Sequence, residues 1–117
     1  MSVESDLFGV LGPLVAGRAY PDIAPTGAVR PYIVYQQVGG VPLSFLSGIP
    51  DKRNGRFQIA AWAVTRVAAS ALIRQVEDAV RQSTALNATT EGGAVADYEE
   101  DTKLYGARQD FSIWFQA

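Results

Sequence analysis

The segment that decides the fold is a predicted strand followed directly by a predicted helix. Residues 56–63 read RFQIAAWA, and Thr65 stands just before the helical segment 66–83. Side chains alternate between the two faces of a strand, so one face carries Phe57, Ile59, Ala61 and Ala63. The other face carries Arg56, Gln58, Ala60 and Trp62. This alternation predicts a strand whose two faces have different environments.

The segment 66–83 has the most regular helical period in the chain. Its apolar residues recur every three or four positions: Ala69, Leu72, Ile73, Val76, Ala79 and Val80. Thr65 is a good N-cap, because its hydroxyl can accept a hydrogen bond from an amide of the first turn. We therefore expect one long helix that covers part of a sheet.

Two further strands and a short helix are predicted outside this unit. Residues 32–38, YIVYQQV, are β-branched and aromatic and stop at a glycine pair. The last strand contains Phe111, Ile113 and Phe115 on one face and Asp110, Ser112 and Trp114 on the other. Ser2 is expected to cap an N-terminal helix that Gly12-Pro13 kinks or ends.

The remaining segments give weaker patterns. Residues 17–30 are expected to be irregular, with a short extended piece near Arg18 and Tyr20. Residues 84–93 are polar and end in a glycine pair, so they are interpreted as a loop. Residues 94–97 are compatible with a strand, and 98–105 with a turn or the rim of a hairpin.

The order of elements predicts an α+β fold in which two helices pack on one face of an antiparallel sheet. At 117 residues, the chain 1–117 is expected to form a single domain. Residues 39–55 would form a long hairpin between the first two strands, with a mobile tip that has a basic edge. Trp62 and Trp114 share the second faces of their strands, where either the helices or another subunit would pack.

Composition excludes several kinds of chemistry. The chain has no cysteine and no histidine, so disulfides, Cys/His zinc sites and histidine-assisted nucleophiles are excluded. No glycine-rich segment has the spacing of a phosphate loop. We therefore predict no catalytic residue, no cofactor and no metal site, and hence not an enzyme.

The charge balance and hydropathy restrict the partners. Ten Lys/Arg and twelve Asp/Glu give a net charge of −2, which is not typical of a nucleic-acid binder. No stretch approaches the ~20 apolar residues of a membrane helix, and the acidic N-terminus does not open a signal peptide. We therefore expect neither membrane insertion nor direct nucleic-acid contact.

An acidic run lies between Glu91 and Asp101 and contains Asp97, Glu99 and Glu100. A solvated rim, an acidic docking patch, a Mg²⁺ or Ca²⁺ site and a carboxylate pair for glycoside hydrolysis are all compatible with it. The run lacks the spacing of a calcium loop, and neighbouring strand residues point to opposite faces. These observations favour the solvated rim.

A basic group stands in the predicted hairpin and contains Lys52, Arg53 and Arg56. Leu43 and Phe45 lie in the same hairpin, which has more apolar residues than a simple turn requires. Solvated loop tips are the simplest interpretation of both charged groups. Unlike patches on one subunit also suit a heterologous contact between copies, which closes into a ring when the rotation permits.

Five segments, taken in order, resemble one family. They are Arg18-Ala-Tyr-Pro21, Pro31-Tyr-Ile-Val-Tyr-Gln36, Arg56-Phe-Gln-Ile-Ala-Ala-Trp-Ala63, Glu100-Asp-Thr102 and Asp110-Phe-Ser-Ile-Trp114. The sequence is similar to the small tail-completion proteins of long-tailed phages and prophages, whose fold is similar to the lambda-type tail terminator. The resemblance extends over roughly residues 5–116.

The resemblance implies a structural role. Such proteins form rings, typically hexamers, at the head-proximal end of the tail tube, where they stop its growth and present a surface to the head connector. The implied partners are other copies of the chain, the major tail tube protein and head–tail connector proteins. The implied location is the host cytoplasm during assembly and then the virion tail.

We therefore predict that the assembly surfaces lie in the hairpin and at the acidic rim. The expected interface residues are Leu43, Phe45, Lys52, Arg53, Arg56, Asp97, Glu99, Glu100 and Asp101. Two alternatives stay open at the level of sequence: a head–tail joining (neck) protein, and a small hydrolase that uses carboxylates.

Overall fold

The computed structural model describes residues 2–42 and 52–116. Within them the elements are α1 (Val3–Leu11), a 3-10 turn (Gly12–Val15), β1 (Ala19–Pro21), β2 (Tyr32–Gly39), β3 (Lys52–Ala63), α2 (Arg66–Gln82), β4 (Ala88–Glu99) and β5 (Leu104–Gln116). The described strands form one sheet in the order β1-β2-β3-β5-β4. The predicted α+β class is confirmed.

The sheet is mostly antiparallel and is built around two long central strands. β3 and β5 pair from Lys52↔Gln116 to Ala63↔Tyr105 without interruption. β2 and β4 add antiparallel strands on either side, and the short β1 runs parallel to β2 at one edge. The uninterrupted pairing makes the sheet long and narrow, roughly 36–40 Å along its central strands.

Both helices cover the same face of the sheet. The face that carries Phe57 and Ile59 also carries Ile33, Phe111 and Ile113, and all five side chains are buried. The stripe of α2 and the inner residues of α1 join them in one apolar core: Leu7, Leu11, Ile73, Val76 and Val80. The opposite face, which carries Trp62 and Trp114, is therefore not covered by the helices. We call it the open face.

Hydroxyl caps fix where both helices begin. Ser2 Oγ accepts a hydrogen bond from the amide of Ser5 at 3.1 Å, and Thr65 Oγ1 accepts one from the amide of Ala68 at 3.1 Å. Both predicted caps are confirmed. α2 ends at Gln82, one residue before the predicted end, because Ser83 adopts an extended backbone.

The interpretation of residues 84–93 as a loop is correct for 84–87, which form a turn, and wrong for 88–93. β4 begins at Ala88 and runs to Glu99, so the predicted rim shrinks to a four-residue turn between β4 and β5. The glycine pair lies inside the strand, where the register passes from Glu91↔Asp110 to Val95↔Arg108. Two extra residues on β4 therefore form a bulge, and pairing with β5 holds this segment extended despite its weak strand propensity.

β2 and β3 pair antiparallel, as predicted for the two arms of the hairpin, and residues 43–51 between them lie outside the described residues. β3 begins at Lys52 rather than at Arg56, because residues 52–55 pair with the end of β5. Gly40 has φ +148°, and a side chain there would collide with the backbone of Asn54. Asn54 Oδ1 in turn accepts a hydrogen bond from the amide of Val41 at 3.0 Å. Leu43 and Phe45 lie outside the described residues.

No helix in the described ranges 2–42 and 52–116 is long and apolar enough to cross a membrane.

Candidate assembly surface

The open face combines apolar, aromatic and charged residues. Successive rows across the sheet place Val34, Ala60, Arg108 and Val95 side by side, and then Tyr32, Trp62, Gly106 and Asp97. A further row contains Gln36, Gln58, Asp110 and Glu91. Such a face, half-exposed and mixed in polarity, is suited to specific contact with another protein rather than to a core.

The predicted charged groups occupy opposite ends of the sheet. Lys52, Arg53 and Arg56 stand where β3 begins, and we call them the basic end. Asp97, Glu99, Glu100 and Asp101 stand where β4 ends, and we call them the acidic end. Asp97 is in register with Gly106, which pairs with Trp62 near the far end of β3. The nine-residue step along β3 from Arg53 to Trp62 corresponds to roughly 30 Å.

One charge at each end is already paired within the chain. Arg56 Nε lies 2.8 Å from Asp110 Oδ2, and Arg108 Nη1 lies 3.0 Å from Asp97 Oδ2. Because of these cross-strand pairs, Arg56 and Asp97 have less charge to offer a partner. The outermost charges, on Lys52 and Arg53 and on Glu99, Glu100 and Asp101, are on exposed residues.

The first residue of α2 holds the acidic end in place. The guanidinium of Arg66 donates hydrogen bonds to the carbonyl oxygens of Gly106, at 2.7 Å, and of Asp97. It also lies over the Tyr105 ring, 5.4 Å from the centroid. On the turn itself, Thr102 Oγ1 donates to Glu99 Oε1 at 2.7 Å. Hydrogen bonds therefore connect the acidic end to α2 through Arg66, and a further hydrogen bond between Thr102 and Glu99 stabilises the turn.

A buried glutamine, which the sequence analysis missed, fixes the bulge in β4. Gln109 is 3% exposed, and its Nε2 donates to Glu77 Oε1 at 2.7 Å and to the carbonyl of Gly92 at 3.0 Å. Both amide hydrogens are thus used, which removes the cost of burying them. The alternation of side chains along β5 could have predicted its burial, because Gln109 is two residues from Phe111 and therefore lies on the same, covered face.

A cleft opens at the acidic end. It has a volume of about 380 Å³ and lies between the loop after β1, the open face and the β4–β5 turn. The open face contributes Tyr32, Val34 and Trp62, the end of β4 contributes Glu99, and the turn contributes Thr102. The loop contributes residues 22–28 and Arg30. We call this space the aromatic cleft.

The acidic residues do not assemble into a cation site in the part of the chain that the structure describes. No group of three or more Asp, Glu, His or Cys side chains there could hold a metal ion. Glu91 is in register with Asp110, on the far side of the bulge from Asp97. Asp97 faces Arg108, and Glu99 faces Thr102. Of the four interpretations of the acidic run, a solvated rim is the one that fits this geometry best.

Comparison with solved structures shows that the fold is shared with another protein. One chain of the structure titled "Virion of native gene transfer agent (GTA) particle" shares the fold, with a TM-score of 0.68 and 18% sequence identity. The alignment covers 99% of this chain and 96% of that one. The fold is thus one that a virion component uses. A search of the curated proteins finds no match.

The family follows from the sequence itself. Residues 9–116 match the family model described as "Tail completion protein gp17". Because this match covers nearly the whole chain, the protein belongs to the tail completion protein gp17 family, and it is a structural component of the virion tail. The predicted resemblance to tail-completion proteins is confirmed.

Proposed function

We propose that this protein caps the finished tail tube as a ring of identical subunits and presents a surface for joining to the head. The observation that carries the proposal is the separation of opposite charge on one long sheet in a member of this family. Lys52 and Arg53 lie at one end and Glu99, Glu100 and Asp101 at the other. An arrangement of this kind favours contact between unlike ends of neighbouring copies.

Contact between unlike ends is heterologous, and repeated contacts of this type close into a ring or continue as a filament. A ring at the end of a tube stops growth when one of its faces copies the contact between tube subunits and the other does not. The expected ring is a hexamer, which is the copy number that the resemblance to tail-completion proteins implies. The expected partners are other copies of this chain, the major tail tube protein and the head–tail connector proteins.

The proposed role is structural and not enzymatic, and it needs no cofactor. Family membership supports this. The proposed interface consists of the nine residues named from the sequence, of which Arg56 and Asp97 act mainly within the chain through Asp110 and Arg108. The protein would be made in the host cytoplasm and then reside in the tail.

A tube-length assay tests the capping role. The major tail tube protein of the same particle is polymerised with and without this chain, and tube lengths are measured by electron microscopy. We expect the chain to shorten the tubes and to appear at one end only. The double variant Lys52→Glu/Arg53→Glu should lose this effect, while Arg74→Glu, on the exposed side of α2, should keep it. Tubes of equal length with and without the wild-type chain would overturn the proposal.

The same assay separates the neck alternative. A head–tail joining protein would leave tube length unchanged and would bind the connector instead. The hydrolase alternative would need two carboxylates that act across a cleft. Asp22 and Glu99 both line the aromatic cleft, together with Arg30 and Thr102. Family membership favours the structural role over the hydrolase.

A further inference from the structure

The aromatic cleft has a rigid floor. A Cβ atom on Gly106 would lie within 2.9 Å of three adjacent carbons of the Trp62 benzo ring. Such similar distances place the ring face over the glycine. One face of the indole is therefore held against the backbone of β5, and Trp62 lines the cleft beside Tyr32. Tyr32 is itself supported by an edge-on contact with Tyr20, at 6.2 Å between ring centroids.

The cleft also has a negative wall. Glu99 and Asp22 line it against one cation, Arg30. Burial raises the pKa of the Tyr32 hydroxyl, the charge of Glu99 raises this pKa further, and Arg30 opposes them more weakly. Of the charges near Tyr32, Glu99 therefore has the largest effect on its pKa. An aromatic surface beside a carboxylate is the combination that binds a cationic side chain, and arginine stacks on such rings more readily than lysine.

The chain carries a suitable occupant at its opposite end. Arg53 is exposed at the start of β3, roughly 30 Å along that strand from Trp62. This distance is too long for Arg53 to reach the cleft of its own molecule, but contact between unlike ends would bring the start of β3 close to the cleft of a neighbour. We propose that the aromatic cleft of one copy binds the guanidinium of Arg53 from a second copy. This inference rests on the proposed ring contact, in which the aromatic cleft would be the pocket that makes the contact specific.

Self-association of arginine variants tests the binding partner. Sedimentation velocity over a range of concentrations gives the dissociation constant between copies. We expect Arg53→Ala to weaken association about tenfold and Arg53→Lys to weaken it less, because lysine keeps the charge and loses the stacking. Arg74→Ala removes the same charge elsewhere on the surface and should change association less than about twofold.

A second set of measurements reports on the cleft itself. In a Trp114→Phe background Trp62 is the only indole, so its fluorescence should change when copies associate, and Arg53→Ala should abolish this change. Glu99→Gln removes the negative wall without removing the aromatic floor, and it should weaken association several-fold.

The outcomes separate the two proposals. If copies associate but Arg53→Ala behaves like Arg74→Ala, or if Trp62 emission does not change on association, the cleft proposal is overturned while the ring stands. If the wild-type chain neither associates with itself nor limits tube length, the proposed function fails and the cleft proposal fails with it.

Discussion

The covered and open faces of this sheet follow the same alternation and have opposite chemistry. On the covered face Phe57 and Phe111 are buried in a continuous apolar core, and the one buried polar residue in the described part of the chain, Gln109, has its hydrogen bonds satisfied. On the open face Arg56 and Asp110 form a salt bridge that stays partly exposed. Stability therefore resides on the covered face, while the open face and the two charged ends are free to contact other proteins.

The largest effect should come from truncating the core of the covered face. Phe111 is 0% exposed, so Phe111→Ala should lower the free energy of unfolding by about 3–5 kcal/mol. Urea denaturation followed by circular dichroism measures this. The control is Trp114→Ala on the open face, which removes a larger side chain and should cost less. An equal cost for both variants would contradict the difference between the faces.

The buried polar contact should give a smaller effect. Gln109→Ala removes the hydrogen bonds to Glu77 Oε1 and to the Gly92 carbonyl, one of which goes to a carboxylate, and this should cost about 1–3 kcal/mol. Gln58→Ala, on the open face, should change stability by less than about 0.5 kcal/mol. Hydrogen exchange should also show faster opening of β4 in the Gln109 variant. Unchanged exchange around the bulge would show that Gln109 does not fix it.

The smallest effect should come from the salt bridge on the open face. A double-mutant cycle of Arg56→Ala and Asp110→Ala should give a coupling energy of at most about 1 kcal/mol. The coupling should fall as salt is added, because both side chains are partly exposed. A larger coupling that salt does not reduce would mean that the open face also stabilises the fold.

Sequence patterning anticipates the covered face well. The alternation of residues 56–63, the period of α2 and the cap at Thr65 all correspond to the structure, because each depends on local chemistry. The first half of β4, residues 88–93, was missed because these residues are mostly polar and exposed, and only pairing with β5 makes them a strand. The start of β3 was missed for the same reason.

The candidate surfaces were predicted in part. Charge runs in the sequence suggested two unlike patches, and the strands put them at opposite ends of the sheet. The pairing of Arg56 with Asp110 depends on register between distant strands, which a single sequence does not give. The aromatic cleft depends on the position of the loop after β1, which has no periodic pattern.

A mixing experiment tests the central claim, contact between unlike ends, most directly. Lys52→Glu/Arg53→Glu makes both ends acidic, and Glu99→Lys/Glu100→Lys makes both ends basic. Sedimentation velocity is measured under conditions in which the wild-type chain forms oligomers. We expect each folded variant alone to stay monomeric and an equimolar mixture of the two to assemble. A mixture that stays monomeric, or a variant that assembles alone as well as the wild type does, would contradict it.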